Sequence, residues 1–314
     1  MVRAMLLLPP DEAMTRDLVG ELSKFEDIEL TTAHDAGAAL RDLPDVEVLF
    51  TFFAERRLLE AARSLRWIQA LISGTDRIEL DEEAARRILL TNARGFHAAP
   101  VSEAVIAMML ALGRDFPRVF RNQAAREWRP WNARLLAGST VVIVGVGSIA
   151  EALGRKCKAL GMRVEGISRT VREVAGFDRV RGRETLRDTV AEADFVVLLA
   201  PADDSSRGII GREAIAAMKP TSFLVNVARG SLVEDEALID ALRRGRIAGA
   251  ALDAVTDEPL GPDHRYWDVP RLILTPHMAG RHEGSIRALF PLLRANWRHY
   301  RAGELQHMAN RVSR

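Results

Sequence analysis

The sequence predicts an α/β protein built from two doubly wound parallel-sheet units. Three observations carry that expectation. Short apolar runs rich in β-branched residues alternate with longer stretches of helical spacing. The alternation comes in two series, one before residue 98 and one from about Thr140. The 314 residues, at roughly 150 per domain, suffice for two buried cores.

In the first series Val2–Leu8 is an apolar strand closed by Pro9-Pro10. Asp11 then caps a helix to about Lys24, with Leu18 and Leu22 on one face. Val46–Phe52, Trp67–Leu71 and Ile88–Thr91 are further strands, continuously apolar as parallel strands covered on both faces are. A helix over Ala99–Phe120 follows, with Pro100 in its first turn and Val101, Val105, Met108, Met109 and Leu112 facing a core. It links the two units. The polar segment Arg121–Leu135 carries Trp128 and Trp131, which points to packing against another surface such as a second subunit.

The second series places strands at Val141–Val144, Val164–Ile167, Phe195–Leu199, Phe223–Asn226, Ala250–Leu252 and Leu272–Leu274. A last helix over Ser285–Tyr300 carries Ile286, Leu289, Leu293 and Trp297 on one stripe. Its return to the first unit would make that unit discontinuous. The expected boundaries are 1–97 with 285–314 for the first domain and 98–284 for the second.

Composition narrows the function classes. Lys+Arg 44 against Asp+Glu 43 gives a net charge of +1, so no global field favours nucleic acid or an anionic membrane. No apolar run approaches the ~18–20 residues of a membrane span. Met1–Leu8 is too short for a secretory leader and reads as a strand. The lone Cys157 allows no intrachain disulfide and no cysteine cluster, which fits a cytoplasmic protein. His34, His97, His264, His282, His299 and His307 show no ligand spacing with carboxylates, so no metal site is expected.

The run Val141-Val-Ile-Val-Gly145-Val-Gly147-Ser148-Ile149-Ala150 is a strand entering a glycine turn before a helical stretch. That context makes it a dinucleotide fingerprint. Gly145 permits the tight turn, and Gly147 lets the backbone approach a pyrophosphate. The N–H groups around Ser148 and Ile149 point at the phosphates from the positive helix end. Ala150 stands at the third glycine position.

The end of the next strand selects the nucleotide. An NAD site wants a carboxylate there for the ribose hydroxyls. This chain has Ser168-Arg169-Thr170, and Glu165 lies too early, inside the strand. Arg169 offers a planar donor fork to a 2′-phosphate, flanked by two hydroxyls. NADP(H) is therefore expected, with NAD(H) as the alternative.

Three later strands each run into polar residues: Asn226-Val227-Ala228-Arg229-Gly230, Asp253 with Glu258-Pro259, and Thr275-Pro-His277 followed by Gly280. Ligands bind at such strand ends in doubly wound sheets. With Ser73-Gly74-Thr75-Asp76, Val101-Ser-Glu103 and the glycine loop, in this order and spacing, the chain resembles the D-isomer-specific 2-hydroxyacid dehydrogenases over nearly its whole length, in particular glyoxylate/hydroxypyruvate reductases.

The resemblance implies a flavodoxin-like substrate domain made of both chain ends and a Rossmann cofactor domain, enclosing a cleft. It implies that Arg229 binds the substrate carboxylate and polarises the carbonyl, and that His277 gives a proton to the carbonyl oxygen. Glu258 would orient His277 and favour its imidazolium. Ser73, Gly74 and Thr75 would hold the carboxylate through backbone N–H groups. Asp253 would bind the nicotinamide carboxamide. Further cofactor contacts fall on Ala200, Pro201 and Ser206, on Val227, Ala228 and Arg229, and on His277 and Gly280. The chemistry suits these types, because hydride addition to a 2-oxo acid develops negative charge on oxygen. A homodimer acting on a small 2-oxo or 2-hydroxy acid is the implied assembly. Arg94 follows a first-series strand, where a structural salt bridge is its plain role and substrate contact the other. Two rival functions share the scaffold: a dinucleotide-sensing, corepressor-like binding protein, and oxidation of phosphite or a phosphorylated hydroxy acid.

Overall fold

Two parallel sheets organise the chain in the computed structural model, which describes residues 1–75 and 77–312. One unit comprises Met1–His97 and the stretch from His282 onward; the other is Ala98–Arg281.

The first unit opens with β1 (Val2–Leu7), α1 (Glu12–Leu22), β2 (Ile28–Ala33), α2 (Ala36–Asp42), β3 (Val48–Thr51), α3 (Arg56–Ala61), β4 (Trp67–Ala70), α4 (Glu82–Arg87) and β5 (Leu89–Thr91). The strand order is β2-β1-β3-β4-β5, all parallel, which is the flavodoxin-like order. Asp11 caps α1 by accepting the Met14 N–H at 2.9 Å. Strand β2 had no counterpart in the sequence reading. It lies at the sheet edge with half-exposed residues, so no continuous apolar run marks it.

The second unit begins with α5 (Ala98–Gly113) and α6 (Phe116–Ala124). These correct the single helix expected over Ala99–Phe120. Asp115 takes a left-handed φ of 55°, its side chain caps α6, and Pro117 opens that helix. Val105, Met109 and Leu112 of α5 pack with Val141, Ile143, Leu153 and Phe223. Between α6 and the next strand the two tryptophans part company. Trp131 lies under the Arg118 guanidinium, 4.4 Å from its ring centroid, while Trp128 is 98% exposed.

The second sheet holds β6 (Thr140–Val144), β7 (Arg163–Ser168), β8 (Arg179–Gly182), β9 (Phe195–Leu198), β10 (Phe223–Asn226), β11 (Gly249–Leu252) and β12 (Leu272–Leu274). Helix α7 (Ser148–Ala159) follows β6, α8 (Leu186–Glu192) follows β8, α9 (Arg212–Ala217) follows β9 and α10 (Asp235–Arg243) follows β10. The order β12-β11-β10-β9-β6-β7-β8 is the Rossmann arrangement with one added strand, and its direction reverses between β6 and β9. Strand β8 is a second edge strand absent from the sequence reading; its Arg-Val-Arg-Gly carries one apolar residue.

The chain then returns to the first unit through α11 (Phe290–Arg301). The helix starts later than the Ser285 expected. Ser285 closes a turn on His282 O at 3.0 Å, Gly284 has φ +74°, and a short 3-10 turn over Arg287–Leu289 leads in. Leu289, Leu293 and Trp297 are buried with Phe50 and Trp67. Asn296 fixes the helix to the sheet by donating to Gln69 Oε1 at 2.9 Å. Among the described residues no helix is long and apolar enough to cross a membrane. Cys157 is buried in α7, and burial pushes its thiol up to about 12.

Candidate active site

The glycine loop leaves β6 at the point where the strand order reverses. Gly145 adopts φ +100°, and a Cβ there would stand 2.4 Å from Ala200 N, so only glycine fits. Gly147 is different. Its backbone is extended, and a Cβ would meet nothing within 4 Å. It also caps α7 without a side-chain hydrogen bond. Open space beside the uncapped end of a twelve-residue helix is what a pyrophosphate needs. The buried Ala150 packs in the core behind it. A dinucleotide therefore fits this loop.

Within β7 Glu165 is buried and faces Arg163 at 2.7 Å and Arg181 at 3.0 Å, so it is spent inside the strand. Arg169 is 60% exposed, and its guanidinium is ion-paired with Asp203, a residue the sequence reading did not single out. Thr170 N–H donates to Ser168 Oγ at 3.3 Å. The loop after β9 holds Ala200, Pro201 and Ser206. Ser206 is fully buried, and its hydroxyl donates to Pro201 O at 2.8 Å.

Arg229, Asp253 and His277 follow β10, β11 and β12, which are adjacent, so all three leave one sheet edge. The Asn226 side chain accepts the Ala228 N–H at 3.1 Å and donates to Arg229 O at 2.8 Å. That folds the turn tightly, with Val227 and Ala228 buried and Arg229 Nη1 donating to Ala228 O at 2.8 Å. A Cβ on Gly230 would lie 2.0 Å from Val255 C, so the loop after β11 can approach only a glycine.

Asp253 is 3% exposed and spends its carboxylate on the next turn. Oδ1 accepts the Thr275 hydroxyl at 2.6 Å and the Met278 N–H at 2.9 Å; Oδ2 accepts the Ala279 N–H at 2.9 Å, just before Gly280. The His277 N–H donates to Asp253 O at 2.9 Å. These bonds hold His277 at a φ of 49°, a conformation uncommon outside glycine. Its Nδ1 lies 2.7 Å from Glu258 Oε2, and Glu258 Oε1 accepts the Val255 N–H at 3.1 Å.

In the first unit Ser73 ends a bend after β4, and Gly74 and Thr75 follow it as irregular chain. Among the described residues their N–H groups donate to no backbone carbonyl; Asp76 lies outside the described residues. The Ser73 hydroxyl donates to Ala93 O at 2.9 Å and is 2.7 Å from His97 Nδ1. Asn92 Nδ2 donates to Ser73 O at 2.8 Å. Arg94 is exposed and makes no ion pair among the described residues, which corrects the salt bridge expected for it. Two of the histidines expected to show no ligand spacing with carboxylates do meet one in the fold. His299, Glu304 and His307 come together after α11, with His299 Nδ1 2.9 Å from Glu304 Oε2, because the helix ends between them. His299 holds the Glu304 carboxyl below its ordinary range.

The family model for the D-isomer specific 2-hydroxyacid dehydrogenase NAD binding domain matches residues 106–279. The chain belongs to the D-isomer specific 2-hydroxyacid dehydrogenases. Over 278 residues this dehydrogenase is 31% identical to a glyoxylate reductase of Pyrococcus furiosus, covering 85% of this chain and 82% of that protein. Its fold matches a D-isomer specific 2-hydroxyacid dehydrogenase family protein of Aeromonas salmonicida with a TM-score of 0.86 at 29% identity, over 100% and 99% of the two chains. It also matches an NADPH-dependent glyoxylate/hydroxypyruvate reductase of Sinorhizobium meliloti, solved with NADP and sulfate, at TM-score 0.87 and 25% identity over 100% and 98%. The dehydrogenase is an NAD(P)-dependent oxidoreductase, and the binding-protein reading falls away.

Sequence reasoning missed the residues that hold this site rather than those that face outward. Asn226 and Thr275 sit inside motifs whose chemistry belongs to their neighbours Arg229 and His277 in the sequence. Asp203 has no local signal, because its partner lies 34 positions away.

Proposed function

We propose that this dehydrogenase reduces a small 2-oxo acid with NADPH in preference to NADH, with glyoxylate or hydroxypyruvate as substrate. The Glu258–His277 pair at the edge that also carries Arg229 is the observation behind the reaction, at 2.7 Å. An arginine instead of a carboxylate at the end of β7 supports the nucleotide choice. The S. meliloti relative, solved with NADP, supports it too.

In this reading bound NADPH supplies the hydride to the carbonyl carbon. Glu258 accepts the His277 Nδ1–H, which fixes the tautomer and leaves Nε2 to give the proton to the carbonyl oxygen. Arg229 binds the carboxylate and meets the charge that develops on oxygen. The N–H groups of Ser73, Gly74 and Thr75 bind the carboxylate as well. Asp253 Oδ2, with a second lone pair, accepts the carboxamide N–H. Ala200, Pro201, Ser206, Val227, Ala228 and Gly280 line the nucleotide, Ser148 and Ile149 bind its pyrophosphate, and Ser168 and Thr170 flank its 2′-phosphate. Residues 1–97 with 285–314 serve substrate and residues 98–284 the dinucleotide.

The test is NADPH and NADH oxidation with glyoxylate, hydroxypyruvate, pyruvate and a bulky aromatic 2-oxo acid. NADPH is expected to be oxidised faster, with a two-carbon or three-carbon acid best. Faster NADH oxidation would remove the nucleotide assignment. His277→Ala is expected to cut kcat by about 10²–10⁴-fold with nucleotide affinity retained. Loss of nucleotide binding alone would assign His277 elsewhere.

A homodimer belongs to the same reading, supported by Phe116 (44% exposed), Phe120 (62%), Trp128 (98%) and Leu135 (58%) on one short stretch. Light scattering on wild type and Trp128→Glu tests it: dimer for the first, a shift towards monomer for the second. A cytoplasmic setting is supported by the single buried Cys157 and is tested by cell fractionation.

A further inference from the structure

Three strands of the second sheet end near one another, and the residues that follow them meet. Arg169 follows β7, Arg183 follows β8, and the loop of residues 200–206 follows β9. Asp203 in that loop pairs with Arg169 through Oδ2. Its Oδ1 accepts the Ser205 hydroxyl at 2.5 Å, and Ser205 Oγ accepts from Arg183 Nη1 at 2.9 Å. The loop is firmly built: Asp203 N–H donates to the buried Ser206 Oγ at 2.8 Å. One carboxylate thus lies between two guanidinium groups, directly on one and through a hydroxyl on the other. Two arginine forks and a hydroxyl are the donor set of a phosphate monoester site. Here the chain's own carboxylate sits on it.

We infer that Asp203 sets the discrimination between the two nucleotides, by competing with a ribose 2′-phosphate for Arg169 in a phosphate site that Arg183 and Ser205 complete. The inference rests on the reading of Arg169 as the 2′-phosphate ligand. A nucleotide with a 2′-phosphate must displace Asp203, exchanging one anion on Arg169 for another. A nucleotide with free ribose hydroxyls leaves the pair intact and meets a carboxylate, the acceptor that the end of β7 lacks. Asp203 therefore holds the NADPH preference below what Arg169 alone would give. The Ser205 hydroxyl and the Arg169 guanidinium hold its carboxyl at about 2, so protonation near neutral pH does not relieve the competition.

The experiment is equilibrium binding, by calorimetry, of NADPH, NADH and adenosine 2′,5′-bisphosphate to the full chain. Asp203→Asn is expected to tighten NADPH and the bisphosphate by about three- to tenfold, the scale of one exposed ion pair plus a removed like charge. NADH is expected to stay level or weaken. Arg183→Ala weakens the two phosphorylated ligands several-fold and spares NADH. On an Arg169→Ala background Asp203→Asn has no effect on NADPH, as a coupled pair requires. Asp203→Ser serves if the Asn variant melts early. If Arg169→Ala costs NADPH alone while both Asp203 variants leave the NADPH/NADH ratio unchanged or lower, Asp203 is a positioning partner of Arg169 and the inference is overturned with the NADPH reading intact. Equal wild-type affinity for both nucleotides, indifferent to Arg169→Ala, overturns both.

Discussion

The turns after β5 and β10 use one device with two outcomes. Asn92-Ala-Arg94-Gly95 follows the first strand, and Asn226-Val-Ala-Arg229-Gly230 closes the second. In each, the asparagine Oδ1 accepts the N–H two residues on, at 3.0 Å from Arg94 and 3.1 Å from Ala228. One inserted residue then changes everything downstream. Arg94 is the bonded residue itself and is exposed, whereas Arg229 comes one position later and is half-buried. Gly95 takes φ +92° in open space, while Gly230 is pressed against the backbone of Val255. The first glycine answers a conformational demand and the second a packing demand. The longer turn is therefore fixed from two sides, by its own asparagine and by the loop that carries Glu258, and its arginine is held where the shorter turn leaves Arg94 exposed.

The two turns differ most in what their arginines are expected to do. Arg229→Ala is expected to lower kcat/KM by about 10²–10³-fold, the loss typical of one donor to a developing oxyanion. Steady-state kinetics on glyoxylate checks it, and a loss under tenfold would mean that the second turn is held for structure alone. The glycines come next. Gly230→Ala forces backbone apart and is expected to cost about 1–3 kcal/mol or more. Gly95→Ala meets only the left-handed penalty, about 1–2 kcal/mol. Denaturant unfolding of the pair ranks them; equal costs would deny that the two glycines serve different ends.

The strands that end at the site announced themselves because parallel strands buried on both faces are continuously apolar. The edge strands β2 and β8 did not, since one side meets water and their residues alternate or carry arginine. The break between α5 and α6 rests on an aspartate in a left-handed conformation, where a glycine would have given warning. Motifs marked Arg229, Asp253, Glu258 and His277 as residues that follow strands, and in the fold they follow β10, β11 and β12. They were silent on Asp253 clasping the His277 turn with three hydrogen bonds, because those partners are neighbours only in the folded sheet.

The two asparagines differ on a smaller scale. Asn226 is fully buried and its loss strands the Ala228 N–H and the Arg229 carbonyl, so Asn226→Ala is expected to cost about 1–3 kcal/mol. Asn92 is half-buried and, besides accepting the Arg94 N–H, ties its turn to Ser73 O at 2.8 Å. Asn92→Ala is expected to cost about 1 kcal/mol and to raise KM more than it lowers kcat. A pure kcat effect would mean that Ser73 does not depend on Asn92 for its place.

The smallest expected effect is at Arg94. Its turn is held by backbone and by neighbours: the Ala93 N–H donates to Ile72 O at 2.9 Å, and Asn310 Nδ2 donates to Arg94 O at 2.9 Å. None of these bonds uses the guanidinium. Arg94→Ala is therefore expected to leave stability within about 0.5 kcal/mol, as for a surface substitution away from such features. It should hold kcat/KM within about threefold of wild type, about 0.65 kcal/mol in the barrier. Measured beside Arg229→Ala under the same conditions, a comparable fall would show that the shorter turn also delivers its arginine to substrate, and the inserted residue would no longer separate the two.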